Sequence, residues 1–269
     1  MKVITIIPTF NNAEHILETI KSAKAIGQVA IIDSGSTDDT KAIAEKEGCY
    51  FYERKIIPWD AGDQRNFAYS LWKNNYDWVL FLDSDEIISE VLANEIKQTI
   101  CTSNYNYYSI RSQYHLFRKK LESISFNTFH DRLVSTDLNT DIFTSSPGEV
   151  FNLEDRNQIG KLKHSYIHNV DAKGFLDWVL RIFQYSFQNG FIDVKNIKEK
   201  KLRRTKNYGF VRRYRIIFLF SLPILYFFYY IFVRKCLKDG FVGLMFALIM
   251  SLAYLSYPFG FIKGLFSAK

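Results

Sequence analysis

The 269 residues hold only three cysteines, Cys49, Cys101 and Cys236, and these share no metal-like or framework spacing. That excludes a disulfide-stapled secreted scaffold and points to a reducing compartment. Met1 to Phe10 has one lysine and an apolar run that stops at Pro8, too short to read as the core of a secretory leader. The expectation is a catalytic part on the cytosolic side. Glycine-rich phosphate loops are absent too. The turn after the first β-forming run reads Pro8-Thr9-Phe10-Asn11-Asn12, not Gly-x-Gly-x-x-Gly, which argues against a dinucleotide-binding Rossmann domain. No Walker sequence or Gly-x-Ser-x-Gly elbow occurs, which argues against a nucleoside triphosphatase or an α/β-hydrolase.

What is present is a core. The chain is 48% apolar and 17% aromatic, too much for disorder. Val3 to Ile7 is a β-rich run ended by Pro8, and Ile16, Leu17, Ile20 and Ala23 then follow at helical spacing. Val29 to Ile32 is a second buried strand, and Asp33 to Thr40 supplies the small and capping residues that start a helix ending near Gly48. Tyr50 to Glu53 is a third strand, Gln64 to Trp72 a helix, and Val79 to Leu82 a fourth strand, apolar throughout as expected when both faces are covered. Strands alternating with helices predict an α/β fold with a doubly wound, mainly parallel sheet, whose loops after the first, second and fourth strands meet at one edge.

The fourth strand ends on Asp83-Ser84-Asp85-Glu86. In extended backbone alternate side chains share a face, so Asp83 and Asp85 are paired to hold one hard cation, Mg²⁺ or Mn²⁺, of the kind that binds phosphates. A solvated acidic loop would show the same letters.

Four pieces in order, Ile6-Ile7-Pro8-Thr9-Phe10-Asn11, Ile32-Asp33-Ser34-Gly35-Ser36-Thr37-Asp38, Gln64-Arg65-Asn66 and Leu82-Asp83-Ser84-Asp85-Glu86, resemble the inverting family-2 glycosyltransferases of GT-A fold. Trp59-Asp60 and Lys238-Asp239-Gly240 are similar to the lipopolysaccharide-core glucosyltransferase branch. The resemblance implies a nucleotide-sugar donor, a UDP-sugar in particular, with Pro8, Thr9, Asn11, Asp33, Ser34, Gln64, Arg65, Asn66 and Asp83 around it and metal on Asp83 and Asp85. Many relatives have two acids after the second strand, whereas Ser34 follows Asp33 here, which weakens the implied uridine contact. Inverting transfer needs a base for the acceptor hydroxyl. The family's His-Glu pair falls on Gly148-Glu149, so Glu149 is the candidate, with Asp131 of Asp131-Arg132-Leu133-Val134 its rival. His168 matches a family histidine. Two other readings remain: a membrane-anchored nucleotide-sugar-binding protein without catalysis, since Gly148 and Ser34 depart from the pattern, and a sugar nucleotidyltransferase, whose Gly-rich basic first turn is missing.

The net charge of +7 is unevenly spread. Residues 195–215 hold ten Lys or Arg against Glu199 alone, giving +9 and leaving −2 elsewhere. Such a run suits nucleic acid or an anionic membrane. Its sequel decides for lipid and against nucleic acid: 216–233 and 241–262 contain no charge at all. The expected organisation is a glycosyltransferase domain at 1–194, a basic juxtamembrane segment at 195–215 and a membrane-associated helical hairpin at 216–269. That places the enzyme on the cytosolic face of the cytoplasmic membrane, bound to anionic lipids and acting on a lipid-linked or lipopolysaccharide acceptor. The first apolar run reaches about 27 Å, marginal for a bilayer core of roughly 30 Å. A hairpin lying in one leaflet also spares Arg234, Lys235 and Lys238 a crossing.

Overall fold

The structure is a computed structural model describing residues 1–55, 61–102, 104–125, 128–138, 142–144, 150–153, 155–201 and 219–267. Two compact units form. Met1–His115 and Ser125–Val170 make the first, and Leu116–Ile124 and Asp171–Lys269 the second. The boundary expected at 194 falls inside a long helix of the second unit.

In chain order the first unit begins with β1 (Val3–Thr9), α1 (Ile16–Lys24), β2 (Gln28–Asp33), α2 (Thr40–Lys46), β3 (Tyr50–Glu53), α3 (Ala61–Trp72) and β4 (Trp78–Phe81). These are the strands and helices the periodicity predicts. β5 (Glu86–Ile87), α4 (Glu90–Thr102), β6 (Tyr107–Leu116), β8 (Phe129–Ser135) and β9 (Ile159–Asn169) follow, and between β6 and β8 the chain forms β7 (Lys119–Lys120) and α5 (Glu122–Ser125), which fall largely to the second unit. The sheet runs β3-β2-β1-β4-β8-β6-β9-β5.

Its first four strands are parallel, with Ile6 beside Ala30 on one side and Phe81 on the other. Beyond β4 the expectation of a mainly parallel sheet needs correction. β8 is antiparallel to β4 and β6, β9 is parallel to β6, and β5 is antiparallel to β9, so the sheet is mixed. The cause lies in what the connection forms. A parallel pair needs a crossover of a dozen residues or more over a sheet face, and the segment between β6 and β8 is taken up by β7 and the single turn of α5.

Alternation along the central strands divides the core. Ile7, Ile31, Leu80 and Leu82 pack with Ile16 and Ile20 of α1 and Ile96 of α4 on one face. Ile6, Ile32, Val79 and Phe81 pack with Ala68, Tyr69 and Trp72 of α3 on the other. With both faces covered, β4 is apolar at every position, and each buried side chain contributes on the order of 1.5–3 kcal/mol. The Tyr69 hydroxyl reaches the Ser135 and Leu138 carbonyls, 3.1 Å each, which ties α3 to the end of β8.

The second unit holds α6 (Phe175–Lys201), α7 (Leu222–Phe228), a π turn (Tyr229–Val233), a 3-10 turn (Cys236–Asp239), α8 (Gly240–Ala253) and α9 (Ser256–Phe266). By length and composition, Cys236–Phe266 is apolar enough to cross a membrane.

Candidate active site

The polar ends of β1, β2 and β4 are stitched into one surface. Ser34 N–H donates to the Thr9 carbonyl at 2.9 Å. Asn11 N–H donates to the Ser36 hydroxyl at 2.8 Å, while Asn11 Oδ1 accepts from Thr37 N–H at 2.8 Å. The Asn12 side chain donates to the Ser84 carbonyl at 2.6 Å, and the Thr19 hydroxyl donates to the same oxygen at 3.0 Å. Asn11 therefore acts as a brace between loops, in a left-handed conformation with φ 45°. Pro8 lies in register with Ile32 at the strand end.

Asp33 is drawn into its own turn. Its Oδ2 accepts from Gly35 N–H at 2.8 Å and Ser36 N–H at 2.7 Å, and its Oδ1 from the Ser36 hydroxyl at 2.5 Å. Gln64 donates to the Ser34 hydroxyl at 3.2 Å. The Gln64 Oε1 and the Thr9 hydroxyl are buried and have no hydrogen-bond partner among the described residues. Asn66 is placed differently from expectation. Its amide exchanges two bonds with the Phe143 backbone, 2.9 and 2.8 Å, so it clamps a chain segment and is not available to a nucleoside.

Beneath this edge lies a charge cluster. Arg65, buried on α3, donates to Asp83 Oδ1 at 2.8 Å. Arg132, equally buried on β8, donates to Asp83 Oδ2 at 2.9 Å and to Glu86 Oε1 at 2.8 Å. The other Glu86 oxygen accepts from Asp83 N–H at 2.9 Å. Burial alone would raise the Asp83 pKa, but Arg132 and Arg65 override it and hold the carboxyl well below its ordinary range. Burial pushes Glu86 well upward, against the pull of Arg132 and with the charge of Asp83 adding to the rise. His130, above Arg132 on the same face, is driven down to about 3 by burial and by Arg132, and is neutral at neutral pH.

Asp83 thus has both oxygens committed to guanidinium groups, which does not suit the expected role of metal ligand. Asp85 is different. β5 pairs with β9 so that Glu86 stands opposite His168. This brings His168 Nε2 to 3.8 Å from Asp85 Oδ2, with Nδ1 3.9 Å from Glu86 Oε1. Nδ1 is buried with no hydrogen-bond partner among the described residues. An oxygen and an imidazole nitrogen at this separation can share one Mg²⁺ or Mn²⁺, ions that take one or two protein ligands and fill the rest with phosphate and water. Among the described residues no cluster of three or more His, Cys, Asp or Glu could hold an ion by itself. The residues fit a metal that arrives with a diphosphate.

Asp131, the rival base, requires correction. Buried on β8, it accepts from Arg156 at 2.8 and 3.0 Å, from the Ser109 hydroxyl at 2.6 Å and from Phe151 N–H at 2.7 Å. Four bonds leave it no capacity to take a proton from a substrate. It also faces the wrong way: with period two, Asp131 points away from the face that carries His130 and Arg132. Glu149 lies outside the described residues, as do Trp59, Asp60 and Gly148. Arg132 and His130 are the members that motif reading gave no role, while Glu86 and His168 were named without their partners. The signal for Arg132 and His130 was their two-residue spacing on one strand, which puts both side chains on one face.

The sequence profile of Glycosyl transferase family 2 matches residues 4–154, more than half of the chain. The chain belongs to that family. Uncharacterized glycosyltransferases of Rickettsia conorii and Rickettsia felis are each 40% identical to it, over 109 and 111 residues. In both cases the match covers 40% of this chain and 37% of the relative, so the chain spans well under half the length of these relatives. Among solved structures, glucosyl-3-phosphoglycerate synthase from Mycobacterium tuberculosis with Mn²⁺ and UDP-glucose aligns with a TM-score of 0.48 at 18% identity. That alignment covers 62% of this chain and 71% of the synthase. The match to the family covers the whole of the charged cluster through Arg132, and His168 lies beyond it.

Proposed function

We propose that this family-2 member is an inverting glycosyltransferase. It moves a sugar from a nucleotide diphosphate donor, a UDP-sugar, to a lipid-linked or lipopolysaccharide-core acceptor at the cytosolic face of the cytoplasmic membrane. The observation that carries the reading is the edge where Asp85 and His168 stand beside a rigid Asp83–Arg132–Glu86 cluster.

The donor's nucleoside lies over Pro8, Thr9, Asn11, Asp33 and Ser34, where Gln64 Oε1 offers a buried acceptor and the Thr9 hydroxyl a buried donor. The diphosphate lies over Asp85 and His168, which would hold Mg²⁺ or Mn²⁺, and the ion would neutralise charge growing on the leaving diphosphate. Asp83, pinned by Arg65 and Arg132, fixes the backbone from which Asp85 projects. As the acceptor oxygen attacks the anomeric carbon, the bond to the diphosphate breaks on the opposite side and a base takes the hydroxyl proton. With Asp131 saturated, Glu149 keeps that assignment. The uncharged 216–233 and 241–262 runs and the +9 segment support the membrane location.

Incubating the full chain with a panel of nucleotide sugars and Mn²⁺, and measuring released nucleoside diphosphate, tests this. Release is expected for at least one donor and is expected to vanish in Asp85→Ala. Thermal stabilisation by a nucleotide sugar with no release from any donor would establish the non-catalytic binding reading instead.

A further inference from the structure

The membrane reading leaves open whether the apolar helices cross the bilayer or lie on it, and two independent contacts within the second unit bear on that. One pins the turn between the two apolar runs. Asp239 is buried there and accepts from Glu122 N–H at 3.1 Å, Ser123 N–H at 3.2 Å and the Ser123 hydroxyl. It caps the exposed start of α5, the role an acid serves at a helix N-terminus. The Arg234 guanidinium donates to the Ile124 carbonyl, at the other end of the same turn. Residues 116–124 are a short excursion of the chain between β6 and β8, two strands of the catalytic sheet. Nine residues that must go out and return reach roughly 16 Å at full extension, about half of a bilayer core. The 234–240 connector is held by this excursion.

The second contact concerns α8 and α9. α6 runs beside them in the same direction, from the Trp178–Phe246 ring pair to the approach of Gly264 on Val194. The packing between is close enough to require glycine. A Cβ on Gly260 would fall 1.8 Å from the Phe187 carbonyl oxygen, and one on Gly190 2.2 Å from that of Tyr257. The Tyr257 hydroxyl also donates to the Asp193 carboxylate. α6 carries Asp177, Arg181 and Asp193 along this stretch. If Cys236–Phe266 crossed a membrane, these three charges would be carried into hydrocarbon beside it, which ionised groups strongly resist. α8 alone, with 14 residues, reaches about 21 Å, and α7 with its π turn is shorter still.

Large apolar side chains nevertheless face outward, among them Phe228, Phe232, Phe241, Leu248, Leu252 and Phe259. A patch of this kind marks a docking surface, and the ten Lys and Arg of 195–215 give the chain an attraction to anionic headgroups. We propose that residues 219–266 dock on a single leaflet of an anionic phospholipid membrane through these side chains without crossing it. The 234–240 connector and the catalytic sheet then share one side of the bilayer. This rests on the membrane association under "Proposed function" and adds its topology.

Cys101, exposed on α4, supplies an internal marker for the side of the catalytic sheet. Cys49→Ser chains with and without Lys238→Cys are to be treated with a membrane-impermeant maleimide in right-side-out and in everted membrane vesicles. The thiol at position 238 is expected to react in whichever preparation exposes Cys101, and in that one only. Reaction of the two thiols in opposite preparations overturns the proposal while leaving membrane association intact. Flotation of the full chain with phosphatidylethanolamine–phosphatidylglycerol vesicles separates the two ideas. A chain that never floats removes membrane association and this inference together, while donor turnover measured on the same sample still judges the transferase reading. Phe232→Glu with Phe241→Glu, both exposed, is expected to reduce flotation several-fold at unchanged thermal stability. Undiminished flotation would overturn the docking face.

Discussion

Replacing Arg132 by methionine is expected to destabilise the centre of the sheet through a residue 46 positions away, Glu86. Arg132 is 2% exposed and serves both Asp83 and Glu86. In its absence Asp83 keeps Arg65 at 2.8 Å, whereas Glu86, fully buried, loses its one described cation within ion-pair distance other than the His168 ring. Removing one member of a buried pair costs about 3–5 kcal/mol, because the remaining charge is left without compensation. Local exchange of the β4 and β8 amides with deuterium should therefore accelerate by roughly 10²- to 10⁴-fold near neutral pH. The effect has a definite pH sign. A carboxyl whose folded pKa is raised above its ordinary 4.5 binds more protons folded than unfolded between the two values, so stability falls as pH rises through that window. Losing the lowering influence of Arg132 widens the window, and the deficit should be smaller near about pH 5 than near about pH 8. Adding Glu86→Gln removes the orphaned charge while keeping an acceptor for Asp83 N–H, and should recover about 2–4 kcal/mol. Equal exchange in the single and double variants would refute the argument.

His168→Ala and Asp85→Ala should each abolish metal-stimulated release of nucleoside diphosphate with the fold intact by circular dichroism, and excess chelator should do the same to the parent; full turnover under chelation would remove the cation from the mechanism. Asp131→Asn should lower the melting temperature by weakening the Arg156 ion pair, on the order of 1–3 kcal/mol, while turnover per folded molecule stays near the parent value. A thousandfold loss of turnover at unchanged stability would restore Asp131 as the base. Glu149→Gln should retain donor binding and lower turnover by about 10²- to 10⁴-fold, measured as separate binding and rate constants.

The amino-acid pattern made the first four strands legible because each is a short apolar run whose alternation is visible one strand at a time. The mixed half of the sheet was not legible, because strand direction there depends on how the chain returns from β6 to β8, a property of connections and not of composition. A similar limit applied to the site. Asp83 and Asp85 were visible together as two letters in a motif, but their roles diverge through partners 49 and 83 residues downstream, Arg132 and His168. Asp131 was chosen over its neighbour Arg132 although a one-residue shift along a strand reverses the face. Asn66 was given as a donor contact by the family resemblance of Gln64-Arg65-Asn66, and its partner is the backbone of Phe143.

If the proposed metal dependence holds, hydrogen bonding within the cluster accounts for a cation at Asp85 and not at Asp83. Arg65 and Arg132 both donate to Asp83, and Arg132 to Glu86 as well, within 2.9 Å. Guanidinium donors turned toward these acids are less able to meet an incoming diphosphate. Asp85 stands outside that cluster, beside the His168 imidazole at 3.8 Å, and would repel the same diphosphate if left alone. A divalent ion held by Asp85 and His168 would offset that repulsion, a contribution the arginines, committed to Asp83, do not make. Were Arg65 and Arg132 free to meet the phosphates, the donor could bind without metal. The testable consequence is that Asp83→Asn, which releases part of both guanidinium groups, should weaken the dependence of donor binding on divalent ion even as it lowers turnover. Calorimetric titration of a nucleotide sugar with and without Mn²⁺ reads this directly, and an undiminished metal dependence in Asp83→Asn would show that the balance of this cluster does not set the requirement.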